Sequence, residues 1–306
     1  MKTIAKPCTS FRHNRNGTPW ILVYHYGATF TADATYKALE ARKVSSHGTL
    51  DLDGTLYQQV RDEDTAWHAG ESTWAGSVDI NDDSIGLEIV NVGFGDPIPK
   101  GTDTRGWYLA STQKGRPLTA FRVETYKDTT GATKKTYVGI AEPMSVFPDH
   151  RPAWQGKLWA QYTAAQLEAL KEYQRQKVLR WGILPEAIVG HEHIAPGRKT
   201  DPGPAFQPLW DALAADYIAM AAAKPELLDP NFQKELRVKC LQSHLKRLGV
   251  YRLRVDGSAG DGTAAAVIEA IRLFGPNYGF AGLNPKSTTI DLCHAFRKVP
   301  GFDPPR

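Results

Sequence analysis

Between Trp20 and Tyr26 the chain reads WILVYHY. Ile21, Val23 and His25 fall on one face of an extended strand, and Leu22, Tyr24 and Tyr26 on the other. The stretch TLDLDGTLYQQV predicts two strands joined at Asp53-Gly54, because both residues tolerate positive φ. SIGLEIVNV, residues 84–92, alternates again and predicts a third strand. Residues 93 to about 160 are rich in Gly, Pro and Thr and read as an insertion or long loop. Within them FRVETYKDTTGATKKTYVGI predicts a hairpin.

The period then changes. TAAQLEALKEYQRQKVLRWG predicts a helix, with Thr163 and Gln166 as a capping box and Gly182 as the stop. EAIVG, residues 186–190, predicts a short strand leading into His191. The alanine-rich stretch 214–230, broken by prolines, reads as a terminal helix and a linker. Beyond it Leu236, Cys240, Leu241, Leu245 and Leu248 recur at helical spacing before Gly249, and Thr263 is placed to cap a further helix. Strands and helices in irregular order predict an α/β fold with a mixed central β-sheet flanked by helices, followed by a small all-α unit.

Composition and charge sharpen the boundaries. With 306 residues, 42% hydrophobic and 23% charged, the chain is an ordinary globular one, long enough for two domains. From residue 227 onward Lys and Arg outnumber Asp and Glu by 12 to 7, while the whole chain carries only +4. That asymmetry supports domains at 1–224 and 225–306 and puts the basic surface on the second. A net +4 on this length is weak evidence for any polyanionic partner, and no nucleic-acid partner is expected. Cys8, Cys240 and Cys293 form no CxxC pair and are expected as reduced thiols. The first twenty residues lack the apolar core of a Sec signal, and no run reaches the ~18 apolar residues of a membrane span. Synthesis in the cytoplasm without membrane insertion is expected.

Candidate chemistry concentrates in IVGHEHIAPGRKTDPGPAF, residues 188–206. A catalytic zinc takes three protein ligands and leaves one position open. Singly, His25, His191 and Asp201 read as a packed strand histidine, a strand-end histidine and a turn residue. Together they gain weight. Asp201 follows His191 by ten residues, and the stretch from Pro196 to Pro204 is stiff enough to bring the carboxylate back beside the imidazole. His193 points away only if the strand continues past His191, so the spacing leaves it open. Glu88 has apolar neighbours on an alternating strand, where a buried carboxylate needs a partner.

LVYHYGAT, SSHGTLDLDGTLYQQVRDEDTAWHAG, NDDSIGLEIVN and VGHEHIAPGRKTDPGPAF resemble, in order, the four signature blocks of zinc-dependent N-acetylmuramoyl-L-alanine amidases. This is the AmpD-like group, related to amidase-type phage lysozymes and peptidoglycan recognition proteins. The resemblance covers roughly residues 18–95 and 160–212. It implies the fold of those proteins and a Zn²⁺ held by His25, His191 and Asp201, with His193 left out. It further implies Glu88 as the catalytic carboxylate and Lys199 as the partner of the substrate oxygen. His68, in AWHAG, and His47, in SSH, are implied as substrate-binding. The segment 93–160 has no family counterpart; its Trp107, Trp154 and Trp159 are expected to pack rather than to stack on sugars. VKCLQSHLKRLG, VDG, Gly260, Thr263 and the alanines before Val267 resemble a three-helix peptidoglycan-binding domain, although Ala270 and Ile271 stand where its Phe-Gln pair belongs.

The implied activity is hydrolysis of the amide between N-acetylmuramic acid and L-alanine in peptidoglycan or muropeptides, with a zinc-activated water. The expected role is that of a phage or prophage endolysin, a monomer reaching the periplasmic wall by holin-type release or dedicated secretion. A secreted antibacterial effector and a muropeptide-recycling amidase are the alternatives. A non-catalytic peptidoglycan receptor, a fourth reading, is disfavoured because relatives of that kind lack a zinc ligand.

Overall fold

A computed structural model of the chain describes residues 1–97, 107–110, 118–127, 130–149, 151 and 155–300. In chain order, β1 (Thr3–Ala5) and the short β2 (Phe11–Arg12) precede β3 (Ile21–Tyr26) and helix α1 (Ala32–Ala41). Next come β4 (Gly48–Leu50), β5 (Leu56–Gln58), β6 (Thr65–Ala66), the hairpin β7 (Thr73–Trp74) and β8 (Ser77–Val78), and β9 (Ser84–Ile89). They are followed by β10 (Phe94–Pro97), β11 (Trp107–Ala110), β12 (Leu118–Lys127), β13 (Thr133–Val146) and β14 (Leu158–Ala160). Helix α2 (Ala164–Trp181), β15 (Ile188–Gly190), the one-turn α3 (His191–Ile194), α4 (Gln207–Met220), α5 (Lys234–Arg247), α6 (Asp261–Tyr278) and α7 (Thr289–Arg297) complete the order. Among the described residues no helix is long and apolar enough to cross a membrane.

The central sheet is mixed, as the pattern predicts, in the order β1-β5-β4-β9-β3-β15. β4, β9, β3 and β15 run parallel, and β5 turns back antiparallel to β4. Both faces of β3 and β9 are covered, which is why their sequences are nearly continuous apolar runs. Tyr24 faces α2 and α4, where its hydroxyl meets Gln174 at 3.2 Å and its ring packs on Phe206 and Trp210. The next residue, His25, therefore faces the opposite side of the sheet.

Local signals mostly hold. Thr163 and Gln166 form the capping box, and Gly182 takes the left-handed C-cap at φ 68°. The β4–β5 turn departs from expectation, since only Gly54 has positive φ, at 80°. Asp53 instead folds its carboxylate onto the amide and hydroxyl of Thr55, satisfying that donor locally. Helix α6 begins two residues before Thr263, with Gly260 at its N-cap. Thr263 is buried in the first turn and donates to the Ser258 carbonyl.

Residues 93–160 are no simple loop. β10 to β14 close a small barrel, and its β12–β13 pair is the hairpin read from the sequence. Trp159 on β14 is buried against Phe94, and a Cβ on Gly203 would lie 2.5 Å from its ring. Its packing role holds. Trp107 lies on β11, and Trp154 lies outside the described residues.

The expected boundary at 224/225 falls at Lys224, between two short 3-10 turns. Helices α5 to α7 then pack back on the sheet unit, and one continuous cluster of buried apolar residues runs from β3 to α7. Inside it Arg237 grips both oxygens of Glu186 at 2.7 and 2.8 Å, and Thr289 donates to the same carboxylate. Arg237→Ala leaves Glu186 unpaired in the interior. We expect a loss of about 3–5 kcal/mol in urea denaturation. In the wild type the two parts should unfold in one transition, read as coincident fluorescence and circular-dichroism curves.

Candidate metal centre

His25 is the fifth residue of β3 and lies in register beside Glu88, the fifth of β9. β15 delivers His191 as the first residue of α3. All three thus sit at the carboxyl ends of parallel strands, where open α/β sheets place their sites. The chain turns into a helix at His191, so the strand rule does not extend to His193. The His193 Nδ1 accepts the Gly190 amide, and its ring packs on Trp210 and His244, away from Asp201. Asp201 is brought back by its carbonyl, which accepts the Glu192 amide at 2.8 Å. Gly190 is required here, because a Cβ would lie 2.3 Å from Pro202.

Nδ1 of His25 lies 2.9 Å from Nδ1 of His191, and Oδ2 of Asp201 lies 3.1 and 3.0 Å from them. The protons can be placed from the far ends of two hydrogen-bond chains. The Ala69 carbonyl can only accept, so His191 Nε2, 3.0 Å away, carries the proton and its Nδ1 is a lone pair. The Ile80 carbonyl takes the Ser84 hydroxyl proton at 2.6 Å. Ser84 Oγ therefore accepts from His68 Nε2 at 3.1 Å, which leaves His68 Nδ1 to accept from His25 Nε2 at 3.0 Å. Nδ1 of His25 is then a lone pair as well. Two imidazole lone pairs and a carboxylate oxygen converge with no proton between them.

Electrostatics agree. Burial, then the neighbouring His191, bring the His25 imidazole down to about 4. Burial and then His25 hold His68 well below its usual value. Burial alone would raise Asp201; positive charge at His191 and His25, or a cation in its place, is what holds the carboxylate below its usual range. Glu88 is pushed the other way, up to about 8, first by burial and then by Asp201. It is 8% exposed, and its Oε2 has no hydrogen-bond partner. The donor set fits a tetrahedral Zn²⁺, whose ligand bonds near 2.0–2.1 Å put ligand atoms roughly 3.3 Å apart.

A groove of about 620 Å³ opens on this cluster, with Glu88, Lys199, Arg198, Arg42 and Trp67 on its walls. Lys199 is presented on the turn whose amide donates to the Ala195 carbonyl. The two histidines expected to contact substrate are placed differently. His47 is 0% exposed and lies off the groove, with its Nδ1 on the Gly86 amide and its Nε2 facing Arg15 at 2.8 Å. His68 reaches the groove, but both its nitrogens are engaged, so it positions His25 instead. A Cβ at residue 86 would lie 2.4 Å from the His68 ring, which explains the glycine in SIGLE. Ser84, Ala69 and Ile80 were not legible as site residues, since their part is a tertiary hydrogen bond with no sequence period.

The model of the family described as N-acetylmuramoyl-L-alanine amidase matches residues 15–204, more than half of the chain. The chain belongs to the N-acetylmuramoyl-L-alanine amidase family. All five positions named above, His25, Glu88, His191, Lys199 and Asp201, lie inside the family span. The chain is 28% identical over 219 residues to N-acetylmuramoyl-L-alanine amidase AmiD of Escherichia coli strain K12, covering 69% of this chain and 57% of AmiD. It is 29% identical over 202 residues to 1,6-anhydro-N-acetylmuramyl-L-alanine amidase AmpD of Salmonella typhimurium strain SL1344, covering 65% of this chain and 73% of AmpD. A solved complex of E. coli AmiD with anhydro-N-acetylmuramic acid-L-Ala-D-gamma-Glu-L-Lys aligns at TM-score 0.45 and 23% identity, over 94% of this chain and 91% of that one.

The raised Glu88 pKa has a stability consequence. Between its ordinary 4.5 and about 8 the folded protein holds a proton that the unfolded chain has released. Stability should therefore fall as pH rises through that window. In protein freed of divalent cations, Glu88→Gln should melt higher than wild type at pH 8, and the difference should vanish near pH 4.

Proposed function

We propose that this chain is a zinc-dependent N-acetylmuramoyl-L-alanine amidase, hydrolysing the amide between the muramyl lactyl group and L-alanine of peptidoglycan. The observation that carries this is the convergence of three unprotonated donor atoms beside an unpartnered buried carboxylate, in a member of this family. We assign the ligands as His25 Nδ1, His191 Nδ1 and Asp201 Oδ2. A Zn²⁺ held there supplies Lewis-acid polarisation of the carbonyl and lowers the pKa of water toward about 7.

The chain's own groups do the rest. Glu88 takes a proton from the attacking water through its free Oε2, so a C–O bond forms at the lactyl carbonyl. It then gives that proton to the alanine nitrogen as the C–N bond breaks. A nearby cation favours the ionised carboxylate, which suits Glu88 for the base role near neutral pH. Lys199, on the groove wall, offers its ammonium to the developing oxyanion. The physiological target in this reading is the wall polymer, as for an endolysin, because the basic excess of the chain lies on the helical unit from residue 227 onward.

Reverse-phase analysis of muropeptides tests the reaction. Glu88→Gln should lower turnover at least about a hundredfold while zinc stays bound; wild-type turnover in that variant contradicts the assignment. Asp201→Ala should lose zinc, and full metal content there would remove Asp201 from the ligand set. His68→Ala should weaken zinc about ten- to hundredfold in chelator competition, by freeing the His25 ring to rotate.

A further inference from the structure

A second groove, of about 650 Å³, is lined by residues two and three positions from ones that line the catalytic groove. Its floor is the β7–β8 hairpin and its far wall is α5 with the following loop. Gly70 and Arg198 line the catalytic groove, while Thr73 and Pro196 line this one. Arg198 ties the two segments together by donating to the Ala69 and Glu71 carbonyls. Gly70 and Thr73 are three residues apart, so about 10 Å of chain at most separates the two rims.

The second groove is lined by cations. Lys239, Lys246, Arg247 and Arg254 border it, and among the described residues no carboxylate lines it. Lys239 pairs with Glu235 at 2.6 Å, and Lys246 reaches the Leu253 carbonyl at 3.5 Å. Arg254 makes no side-chain hydrogen bond or ion pair among the described residues, though the exposed Asp256 lies near enough to feel its charge. Arg247 is buried, spends its hydrogen bonds on His244 Nδ1 and the Val299 and Phe296 carbonyls, and faces the buried Glu192 carboxylate. The buried His193, on the same wall, has Nε2 within hydrogen-bond reach of no group, with the Glu192 carboxylate 3.8 Å away. Such a wall favours an anion in extended form.

We propose that this groove binds the distal, carboxylate-bearing part of the substrate's stem peptide, with Lys239, Lys246 and Arg254 as the specificity residues. The inference rests on the amidase reading. A peptide cut at its first residue in the catalytic groove has only to extend a few residues to cross the Arg198 tie. The peptide ends on a free carboxylate that a dipeptide stem is too short to carry across, and this suits lysine and arginine partners.

The test compares muramyl substrates with dipeptide and pentapeptide stems, using wild type and a Lys239→Gln/Lys246→Gln/Arg254→Gln variant. For the variant we expect KM to rise about tenfold on the pentapeptide stem, worth 1.4 kcal/mol, and less than about twofold on the dipeptide stem. Equal changes on both stems, or none, overturn the proposal. Failure of wild type to cleave either substrate counts against the amidase reading instead. Calorimetric titration with the free stem pentapeptide reads the groove without catalysis. Binding should weaken about tenfold in the variant and also when the peptide carboxyls are amidated. No binding by wild type, or an unchanged Kd, overturns the proposal even if the chain cleaves nothing.

Discussion

Two backbone carbonyls, Ala69 and Ile80, govern the centre of this protein. Neither can donate, so each forces a proton outward along its chain: one onto His191 Nε2, the other through Ser84 and His68 onto His25 Nε2. What remains inside is two imidazole lone pairs and the Asp201 carboxylate, all within 3.1 Å of one another. Such an arrangement is repulsive on its own and a cation would relieve it. In the proposed zinc site the surrounding structure holds the three donor atoms in the form that would bind the metal.

The rest of the fold serves to keep those groups in place. Parallel strands β3, β9 and β15 end together and present His25, Glu88 and His191 on one rim. Close approaches hold the rim tight: Gly86 admits the His68 ring, Gly190 admits Pro202, and Gly203 admits Trp159 from the barrel. The insertion approaches α3 a second time through Arg151, between β13 and β14, 3.9 Å from Glu192. On the far side, α5 to α7 share the sheet's apolar core and bring their cations beside the second groove. The insertion and the helical unit thus both pack against the stretch from α3 to Gly203.

Much of this was legible in the chain. The alternation of WILVYHY separates Tyr24 from His25, and the structure sends them to opposite faces. Thr163, Gln166 and Gly182 bound their helix because capping is local chemistry. The family blocks pointed to the five residues that meet on the rim. What was not legible depends on tertiary partners. His47 became scaffold because Arg15, from a distant loop, covers it. His68 stays on the groove, but Ser84 and His25 take both its nitrogens. Residues 93–160 hid their strands because segments as short as Phe94–Pro97 carry no reliable period. Helical spacing in 236–248 showed an apolar face but could not say that the sheet unit would cover it.

The most direct test of the centre is X-ray absorption at the zinc edge on the zinc-loaded protein, with metal content measured on the same sample. The account predicts one zinc per chain, four nitrogen or oxygen neighbours at about 2.0 Å with imidazole scattering from two histidines, and no sulfur. Substoichiometric zinc, a six-coordinate oxygen shell or a zinc–sulfur distance near 2.3 Å would contradict it.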